Sequence, residues 1–429
     1  MNSTPDDLSN GAAAHSAAEF LANVVQLDNG LTVVHQQIAA TPVVVVDVWI
    51  RAGASWEPAA WSGIAHFLEH MVFKGTDLVL PGVFDAAIEN RGGMTNAATS
   101  HDYAHFYMTI AADDLAESLP YLVELLLHAS IPADEFVRER HVVLEEIRQA
   151  WDDPDWIGFQ ELSSMIYGDH SYGRSVLGQP EILNERSPEE MRQFHRSRYQ
   201  PENMVVVVTG GVSQERVLEL VQAAFRAFPH RVACPTAEPQ RLSALSGSLR
   251  KTMALPRLEH GRLTMAWLCP GIDSLQAACG IDILATVMAE GRMSRLVREL
   301  REERQWVDDI ASSFSVQKDC SLLTLSAWLH PQMAVEVEQL ICDRVAELAD
   351  APITASELAR AQRVLCNDYA FSMETPGQIA GLYGYYGTLA TPELSMAYPN
   401  YLCPQLQCRA ADAISKAVSV PRAVWCRYS

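Results

Sequence analysis

Residues 41–53 read TPVVVVDVWIRAG, and a stretch of the same kind, LTMAWLCPG, occupies residues 263–271. Each is a strongly apolar run that ends in glycine, which is typical of a buried strand followed by a turn. The two stretches lie in different halves of the 429-residue chain. Because similar elements follow each of them in the same order, we predict that the fold is a duplication.

The elements that follow the two strands correspond one to one. In the first half, the predicted order is a helix, an alternating strand and two further helices, at about residues 61–72, 101–111, 113–129 and 134–150. In the second half, the same order is predicted at residues 274–288, 320–331, 334–348 and 355–370. A repeat that spans about half of the chain is far longer than a solenoid period, so it indicates two duplicated domains.

The motif HFLEH, residues 66–70, lies in the first predicted helix. It places two imidazoles at i and i+4 on one helix face, where they can bind one tetrahedral Zn²⁺ at about 2.0–2.1 Å each. Glu69 points near the same face and can take a proton from water without binding the metal. The order reverses H-E-x-x-H and is the inverted zincin pattern. The structural alternative is a surface helix with two capping histidines and a solvated acid.

A catalytic zinc site needs a third protein ligand, and the helix predicted at 134–150 offers three acids: Glu139, Glu145 and Glu146. Glu139 and Glu146 are seven residues apart and share a face, whereas Glu145 lies about 100° away from Glu146. We place Val142 and Val143 on the face of the first two acids and expect that face to be partly buried. Buried acids need a partner, and a cation is the obvious one.

Salt bridges are the alternative explanation of these acids. Their partners would be arginines of the same helix, namely Arg138, Arg140 or Arg148. This alternative suits Glu145 better than it suits Glu139 and Glu146.

Four stretches of the first half together resemble the pitrilysin (insulinase) family of zinc peptidases. They are HFLEHMVFKGT (66–76), GGMTNAATSHDYAHFYM (92–108), ERHVVLEEI (139–147) and HSYGRSVLGQPEIL (170–183). Within the family, the chain is most similar to the branch of bacterial and mitochondrial-processing-peptidase-like subunits. The resemblance extends from about Val25 to the C-terminus.

The resemblance implies a role for each matching residue. His66, His70 and Glu146 would bind one Zn²⁺ per chain, Glu69 would be the general base, and Glu139 would support the site without binding metal. The pair Asn96 and Ala97 is similar to the family's edge strand, which binds the substrate backbone by strand addition. A glycine-rich hairpin with ordinary turn chemistry is the alternative for this pair.

The resemblance also implies an α+β fold of two homologous domains. Each domain would have a mixed, mostly antiparallel sheet with helices packed on it, and the subunit would form half of a clamshell. We predict an N-terminal tail at 1–24, a catalytic zinc-binding domain at 25–231, a linker at 232–248 and a homologous inactive domain at 249–429. The linker follows from the proline, serine and glycine content of residues 232–247.

The second half departs from the family pattern at one site. Relatives that hold substrate there usually carry an Arg and, seven residues later, a Tyr, in a stretch like LREERGLAY. Here the stretch is LREERQWVDD, so Arg301 is retained while Asp308 replaces the Tyr. An aspartate cannot donate a phenolic hydrogen bond to a tetrahedral oxyanion and would repel it. We therefore expect a related partner subunit to supply the Arg/Tyr pair, giving a heterodimer; a homodimer that uses other residues is the alternative.

The predicted function is that of a zinc metalloendopeptidase that hydrolyses short unfolded peptides in an enclosed dimeric chamber. Glu69 would assist the attack of zinc-bound water. One alternative is a non-catalytic core or scaffold subunit, although relatives of that kind usually have broken metal motifs. Another is the catalytic subunit of a mitochondrial presequence-processing peptidase.

Composition and charge indicate which kinds of partner and which cellular compartment to expect. The 32 basic and 53 acidic side chains give a net charge of −21, which argues against a nucleic-acid surface. This charge would fit either a cavity for basic peptides or solvated helix faces. No membrane partner is expected, because Val43–Ile50 is too short to span a bilayer. All nine cysteines follow residue 233 without disulfide spacing, and no secretory signal is evident. We expect a bacterial cytoplasmic protein; the periplasm and the mitochondrial matrix are less favoured.

Overall fold

The computed structural model contains two open β-sheets, one from each half of the chain. The structure describes residues 21–235, 242, 247–255, 258, 260–350, 353–402 and 423–428. Most of the predicted tail at 1–24 and most of the predicted linker at 232–248 lie outside the described residues.

The first sheet has six strands in the order β1-β2-β6-β3-β5-β4. Only β2 and β6 pair in parallel; the other neighbours are antiparallel. The strands are β1 (Asn23–Gln26), β2 (Thr32–Gln37), β3 (Val43–Ile50), β4 (Met94–Thr99), β5 (Ala104–Ala111) and β6 (Met204–Gly210). The opening stretch of the sequence forms β3, which is central and buried along nearly its whole length. A strand covered on both faces explains why this stretch is apolar without alternating.

The described part of the first half, from residue 21 onward, contains eight α-helices. They are α1 (Ile64–Val72), α2 (Val83–Glu89), α3 (Leu115–His128), α4 (Ala133–Ala150), α5 (Pro154–Tyr167), α6 (Pro180–Asn184), α7 (Pro188–Arg198) and α8 (Gln214–Ala224). The helix predicted from residue 61 begins at Ile64, because Gly63 has left-handed backbone angles (φ 93°) that a regular helix does not contain.

The second sheet has five strands in the order β7-β11-β8-β10-β9, with only β7 and β11 parallel. The strands are β7 (Leu249–Met253), β8 (Gly261–Pro270), β9 (Asp309–Ser315), β10 (Cys320–Leu329) and β11 (Ala423–Tyr428). The α-helices are α9 (Leu275–Ala289), α10 (Ala334–Asp350), α11 (Ala355–Phe371), α12 (Pro376–Leu389) and α13 (Ala397–Tyr401). The prediction of two domains with mixed, mostly antiparallel sheets and packed helices is confirmed.

The two halves exchange a helix. Helix α5 of the first half packs on β8 and β11 of the second sheet, and α12 of the second half packs on β3 and β6 of the first. Leu162 and Ile166 of α5 share a core with Ala266, whereas Ile379 and Tyr383 of α12 lie in a core with strands of the first sheet. The boundary between the domains stays a prediction. Each half buries apolar surface against the other, which stabilises the pair.

Two further features concern the compartment and the membrane. Among the described residues, six cysteines are free, which a reducing compartment permits; the compartment itself stays a prediction. One described helical stretch, Ile272–Ala289, is long and apolar enough to cross a membrane, but 72% of it is buried inside the protein. That burial is typical of a core helix.

The crossing of α12 over β3 gives a stability prediction. A Cβ atom at Gly384 would lie 2.0 Å from Nε1 of Trp49, a side chain that is only 4% exposed. We expect Gly384→Ala to lower the free energy of unfolding by about 1–3 kcal/mol, because the indole must shift in a packed core. Urea denaturation followed by Trp fluorescence measures this change.

The matched control is Gly381→Ala in the same helix, where an added Cβ meets nothing within 4 Å. Replacing a helical glycine in open space stabilises a protein by up to about 1 kcal/mol. Equal effects of the two substitutions would contradict the close packing of α12 on Trp49.

Candidate metal centre

The start of α1 is fixed by a buried carboxylate that the sequence analysis missed. Glu57 is fully buried and accepts hydrogen bonds from the backbone N–H groups of Gly63 (2.8 Å) and Ala65 (3.0 Å). Burial raises the pKa of Glu57 to about 8, although these two donors and Arg174 act in the opposite direction. A carboxyl group at this end accepts hydrogen bonds from N–H groups that would otherwise be unpaired. The helix that carries both histidines is thereby held at its first turn.

Helices α1 and α4 bring the three predicted metal ligands together. The Nε2 atoms of His66 and His70 lie 3.6 and 3.5 Å from Oε2 of Glu146, and the three potential ligand atoms all lie within 4.8 Å of one another. Ligands at about 2.0–2.1 Å from a tetrahedral ion are about 3.4 Å apart. The arrangement therefore fits zinc, with a fourth position left for water or substrate. That these residues are ligands stays a prediction.

The protonation state of His66 also suits a metal ligand. The residue is 7% exposed, and burial together with the neighbouring His70 lowers the pKa of His66 to about 3. Metal ions bind the neutral imidazole, so no proton has to be displaced from His66 at neutral pH.

Glu139 orients His70 from behind. Its Oε1 atom lies 3.0 Å from His70 Nδ1, and its Oε2 atom lies 2.7 Å from Lys74 Nζ. Burial pushes the pKa of Glu139 upward, but the bonds to Lys74 and His70 outweigh it, and the net pKa is lowered. An ionised carboxylate on Nδ1 leaves Nε2 free to face the centre and raises its basicity. The structure thus places Glu139 beside the site and outside the group of ligand atoms.

Lys74 was missed in the sequence analysis. It lies two residues beyond the end of α1, so helical spacing gave no signal for it. Its partner lies on a distant helix, which the sequence does not reveal.

Two expectations about α4 have different outcomes. Val142 was expected on the buried face with Val143, and this is wrong: Val142 is 51% exposed, whereas Val143 is 0% exposed. Consecutive residues are about 100° apart on a helix, which turns Val142 to solvent. Glu145 pairs with Arg148 at 2.6 Å on the exposed side, as the salt-bridge alternative had it.

Glu69 stands beside the three convergent groups and is held by β4. Its Oε2 atom accepts a hydrogen bond from Thr99 Oγ1 at 2.6 Å. Burial raises the pKa of Glu69, while Thr99 and His70 lower it and Glu146 raises it further; the net pKa is raised. A carboxylate whose pKa is moved towards neutrality accepts and returns a proton more readily. Thr99, on the strand that also carries Asn96 and Ala97, was missed in the sequence analysis.

The predicted substrate residues lie on an edge strand. Strand β4 is the last in its sheet and pairs with β5, with Asn96 opposite Tyr107 and Ala97 opposite Phe106. The backbone N–H of Ala97 donates to Asn96 Oδ1 at 2.9 Å, so this N–H points away from the β5 ladder. An outward N–H on an edge strand is a site at which another strand can pair. The roles of Asn96 and Ala97 in substrate binding stay a prediction.

The second-half residues Arg301 and Asp308 are both engaged in ion pairs. The guanidinium of Arg301 contacts Asp309 at 2.9 Å and Glu302 at 3.0 Å. The carboxylate of Asp308 lies 2.9 Å from His260 Nδ1. Gln305, three residues before Asp308, has a left-handed backbone with φ 54°, a conformation that favours glycine.

Two family models match successive parts of the chain. Residues 32–180 match Insulinase (Peptidase family M16), and residues 186–365 match the Peptidase M16 inactive domain. A Mycobacterium leprae relative named as an uncharacterized zinc protease is 31% identical over 335 residues, covering 77% of this chain and 74% of the relative. The zinc protease PqqE of Helicobacter pylori is 28% identical over 370 residues, with 84% and 82% covered.

Solved structures show the same fold. A crystal structure of a protease from Helicobacter pylori matches with a TM-score of 0.88 and 24% identity, covering 95% of this chain and 99% of that one. The structure of a peptidase M16 inactive domain from Pseudomonas fluorescens matches with a TM-score of 0.86 and 19% identity, covering 95% and 98%. Identities this low concern the fold alone, which is that of one half of the M16 clamshell. Together with the matches in sequence, they establish that the chain belongs to the insulinase (pitrilysin) family, peptidase family M16.

Proposed function

We propose that this chain is the metal-bearing subunit of a zinc metalloendopeptidase that hydrolyses short unfolded peptides in an enclosed dimeric chamber. One observation carries the proposal. Glu69, with a raised pKa and a hydrogen bond to Thr99, stands next to two imidazoles and a carboxylate whose spacing fits one zinc ion. A scaffold subunit would have no use for a base in that position.

The chain's own residues would divide the work as follows. His66, His70 and Glu146 would hold the zinc, which when bound supplies a Lewis acid that polarises the scissile carbonyl and acidifies water. The Glu69 carboxylate would take a proton from the attacking water and return it to the leaving amine. The Thr99 hydroxyl would hold one Glu69 oxygen in place, which leaves the other oxygen for the proton.

Substrate would be positioned by β4. A peptide in extended form would pair with the free edge of β4. The Ala97 N–H, which donates to Asn96 Oδ1 in the free protein, would then donate to a carbonyl of the peptide. Because Thr99 lies on the same strand, pairing would align the scissile bond with Glu69. Backbone pairing selects for an extended chain rather than for a particular side chain, which favours unfolded peptides.

A second subunit is part of the proposal. Because Asp308 stands where relatives have the Tyr, the second half of this chain lacks the Arg/Tyr pair that relatives use on substrate. The retained Arg301 is paired with Glu302 and Asp309. A related partner that carries an intact pair would complete the site as a heterodimer. A homodimer that uses other residues remains the alternative.

The first prediction concerns the base. Glu69→Gln keeps the shape of the side chain and the acceptor for Thr99 but cannot take a proton. Peptide hydrolysis by the enzyme with its native partner should fall by about 10²–10⁴-fold with zinc content unchanged. Fluorogenic peptide assays and metal analysis measure the two quantities. Glu145→Gln on α4 is the matched control and should keep full activity, because the contacts of Glu145 are with Arg148 and Gln149 on the exposed side of the helix. Full activity of Glu69→Gln would refute the assigned role.

The second prediction concerns the support of His70. Glu139→Gln and Lys74→Met should each weaken zinc affinity by about 10–100-fold. The first variant loses the carboxylate that orients the His70 ring, and the second removes the positive charge that pairs with this carboxylate. Competition with a chromophoric chelator measures this affinity. Glu145→Gln again serves as the control. Unchanged affinity in both variants would show that Glu139 does not act on the metal centre.

The third prediction concerns the partner. A tagged chain purified from its native source should carry a second M16 subunit, and the pair should hydrolyse peptides at least about 100-fold faster than this chain alone, the scale expected when oxyanion donors are added. Comparing the two preparations on the same peptide measures the difference. A pure homodimer with full activity would contradict the heterodimer.

A further inference from the structure

A cavity of about 390 Å³ opens in the second half of the chain. It lies among α9, α11, α12, α13 and the end of β9, and nothing described above uses it. Its polar and aromatic walls include Asp282, Asp368, Tyr369, Tyr385, Tyr386 and Tyr398. This volume falls within the usual range of small-molecule sites.

The duplication relates this cavity to the metal centre. In the first half, α1 contacts α4 through the rings of Phe67 and Phe136, whose centroids are 4.6 Å apart. In the second half, Ile283 of α9 lies in one apolar cluster with Leu358 of α11. When Phe67 is matched with Ile283 and Phe136 with Leu358, Asp282 falls on the position of His66.

The same alignment changes the chemistry at each remaining position. When α4 and α11 are aligned so that Glu135 matches Glu357, Asp368 falls on Glu146. The register of α9 on α1 puts Ala285 on Glu69 and Thr286 on His70. In the second half, Asp282 thus stands in place of one imidazole and Asp368 keeps a carboxylate in place of Glu146, while the second imidazole and the base are absent. Of these four positions, Asp282 and Asp368 line the cavity.

The charge of the cavity is negative. Neither Lys nor Arg is among the residues that line it. Asp282 accepts a hydrogen bond from the hydroxyl of Tyr398, and in the part of the chain that the structure describes the side chain of Asp368 is exposed without an ion pair. Burial raises the pKa of Asp282 despite the Tyr398 bond, and repulsion by Asp368 adds to the rise. A positive ligand would relieve this repulsion.

Three tyrosines of the cavity wall have hydroxyls that are engaged in hydrogen bonds. Tyr385 donates to the Val316 carbonyl, Tyr398 to Asp282, and Tyr369 to Met396 Sδ. The rings of Tyr369 and Tyr398 are stacked with centroids 6.1 Å apart. Aromatic faces beside carboxylates attract organic cations, because the ring quadrupole is negative over its face.

A metal ion is disfavoured at this place. Among the described residues, a group of at least three potential ligand side chains occurs only at His66, His70 and Glu146. Two carboxylates, one of them bound to a tyrosine, make a poor cage for a divalent ion, which prefers more oxygen ligands.

We propose that this cavity binds an organic cation, a guanidinium or ammonium group held between Asp282 and Asp368 and covered by the tyrosine rings. Two sources share this chemistry: a basic residue of a peptide and a free diffusible amine. The proposal is independent of peptide cleavage, because it concerns binding in the half of the chain that lacks the metal ligands.

Calorimetric titration of the full-length chain tests the proposal with three probes. Agmatine represents free amines, acetyl-Gly-Arg-Gly-amide represents a basic peptide residue, and acetyl-Gly-Gln-Gly-amide is the neutral control. We expect at least one cationic probe to bind and the neutral peptide not to bind. Binding of agmatine alone would assign the site to free amines, and binding of the arginine peptide would assign it to basic residues.

Variants locate the binding. Asp368→Asn, on the exposed rim, and Asp282→Asn should each lower the affinity for the cationic probe by about tenfold or more. This is the scale expected when one charge contact is lost. Glu336→Gln, an exposed acid on α10, changes the net charge equally and should leave the affinity unchanged. Because Asp368 is exposed, its variant keeps the test valid if Asp282→Asn fails to fold. Absence of binding by both cationic probes, or equal affinity in Asp368→Asn and Glu336→Gln, would overturn the proposal.

Discussion

The structure depends on one contact between helices that are distant in the chain. Phe67 of α1 packs on Phe136 of α4, and one turn further along, the His70 imidazole meets the Glu139 carboxylate. The apolar contact fixes the distance between the helices, and the polar contact fixes the rotation of the ring. Because these two contacts are made, His66, His70 and Glu146 face one point. Without them, the three potential ligands would be unrelated side chains on two separate surfaces.

The two halves of the chain are held together by exchanged helices. Each sheet is covered on one side by a helix from the opposite half, α5 on the second sheet and α12 on the first. Such an exchange commits apolar surface of both halves to a single structure, so neither sheet is fully covered by its own half of the chain. The turn after β4 also contacts the second half: Asp102 accepts a hydrogen bond from the backbone N–H of Lys318 at 3.2 Å. The strand that carries Thr99 is therefore supported from both halves.

Much of this architecture was accessible from the sequence, because the governing signals are local. The apolar run of β3, the amphipathic spacing of α4 and the i,i+4 histidines follow from periodicity, and the duplication follows from their repetition in order. The resemblance to the family then joined HFLEH to Glu146. The helix exchange was not accessible, since an apolar face does not name the sheet that will cover it.

Two of the missed residues have partners that are distant in the chain: Lys74 holds Glu139, and Thr99 holds Glu69, so both pairs depend on the tertiary fold. Glu57 is different, because it bonds N–H groups only six and eight residues later, but this contact depends on the loop before α1, which has no repeating pattern. The error at Val142 has another origin: a residue adjacent to a buried position was assigned to the same face, although one step along a helix turns about 100°.

The central claim is that one zinc ion is held by two imidazoles and one carboxylate from α1 and α4. X-ray absorption at the zinc edge, on stoichiometrically loaded protein, tests it most directly. The account predicts one zinc per chain with two imidazole nitrogens and light oxygen ligands at about 2.0–2.2 Å, and loss of tight binding in Glu146→Gln. A chain that binds no divalent metal, or a zinc shell without imidazole, would contradict it.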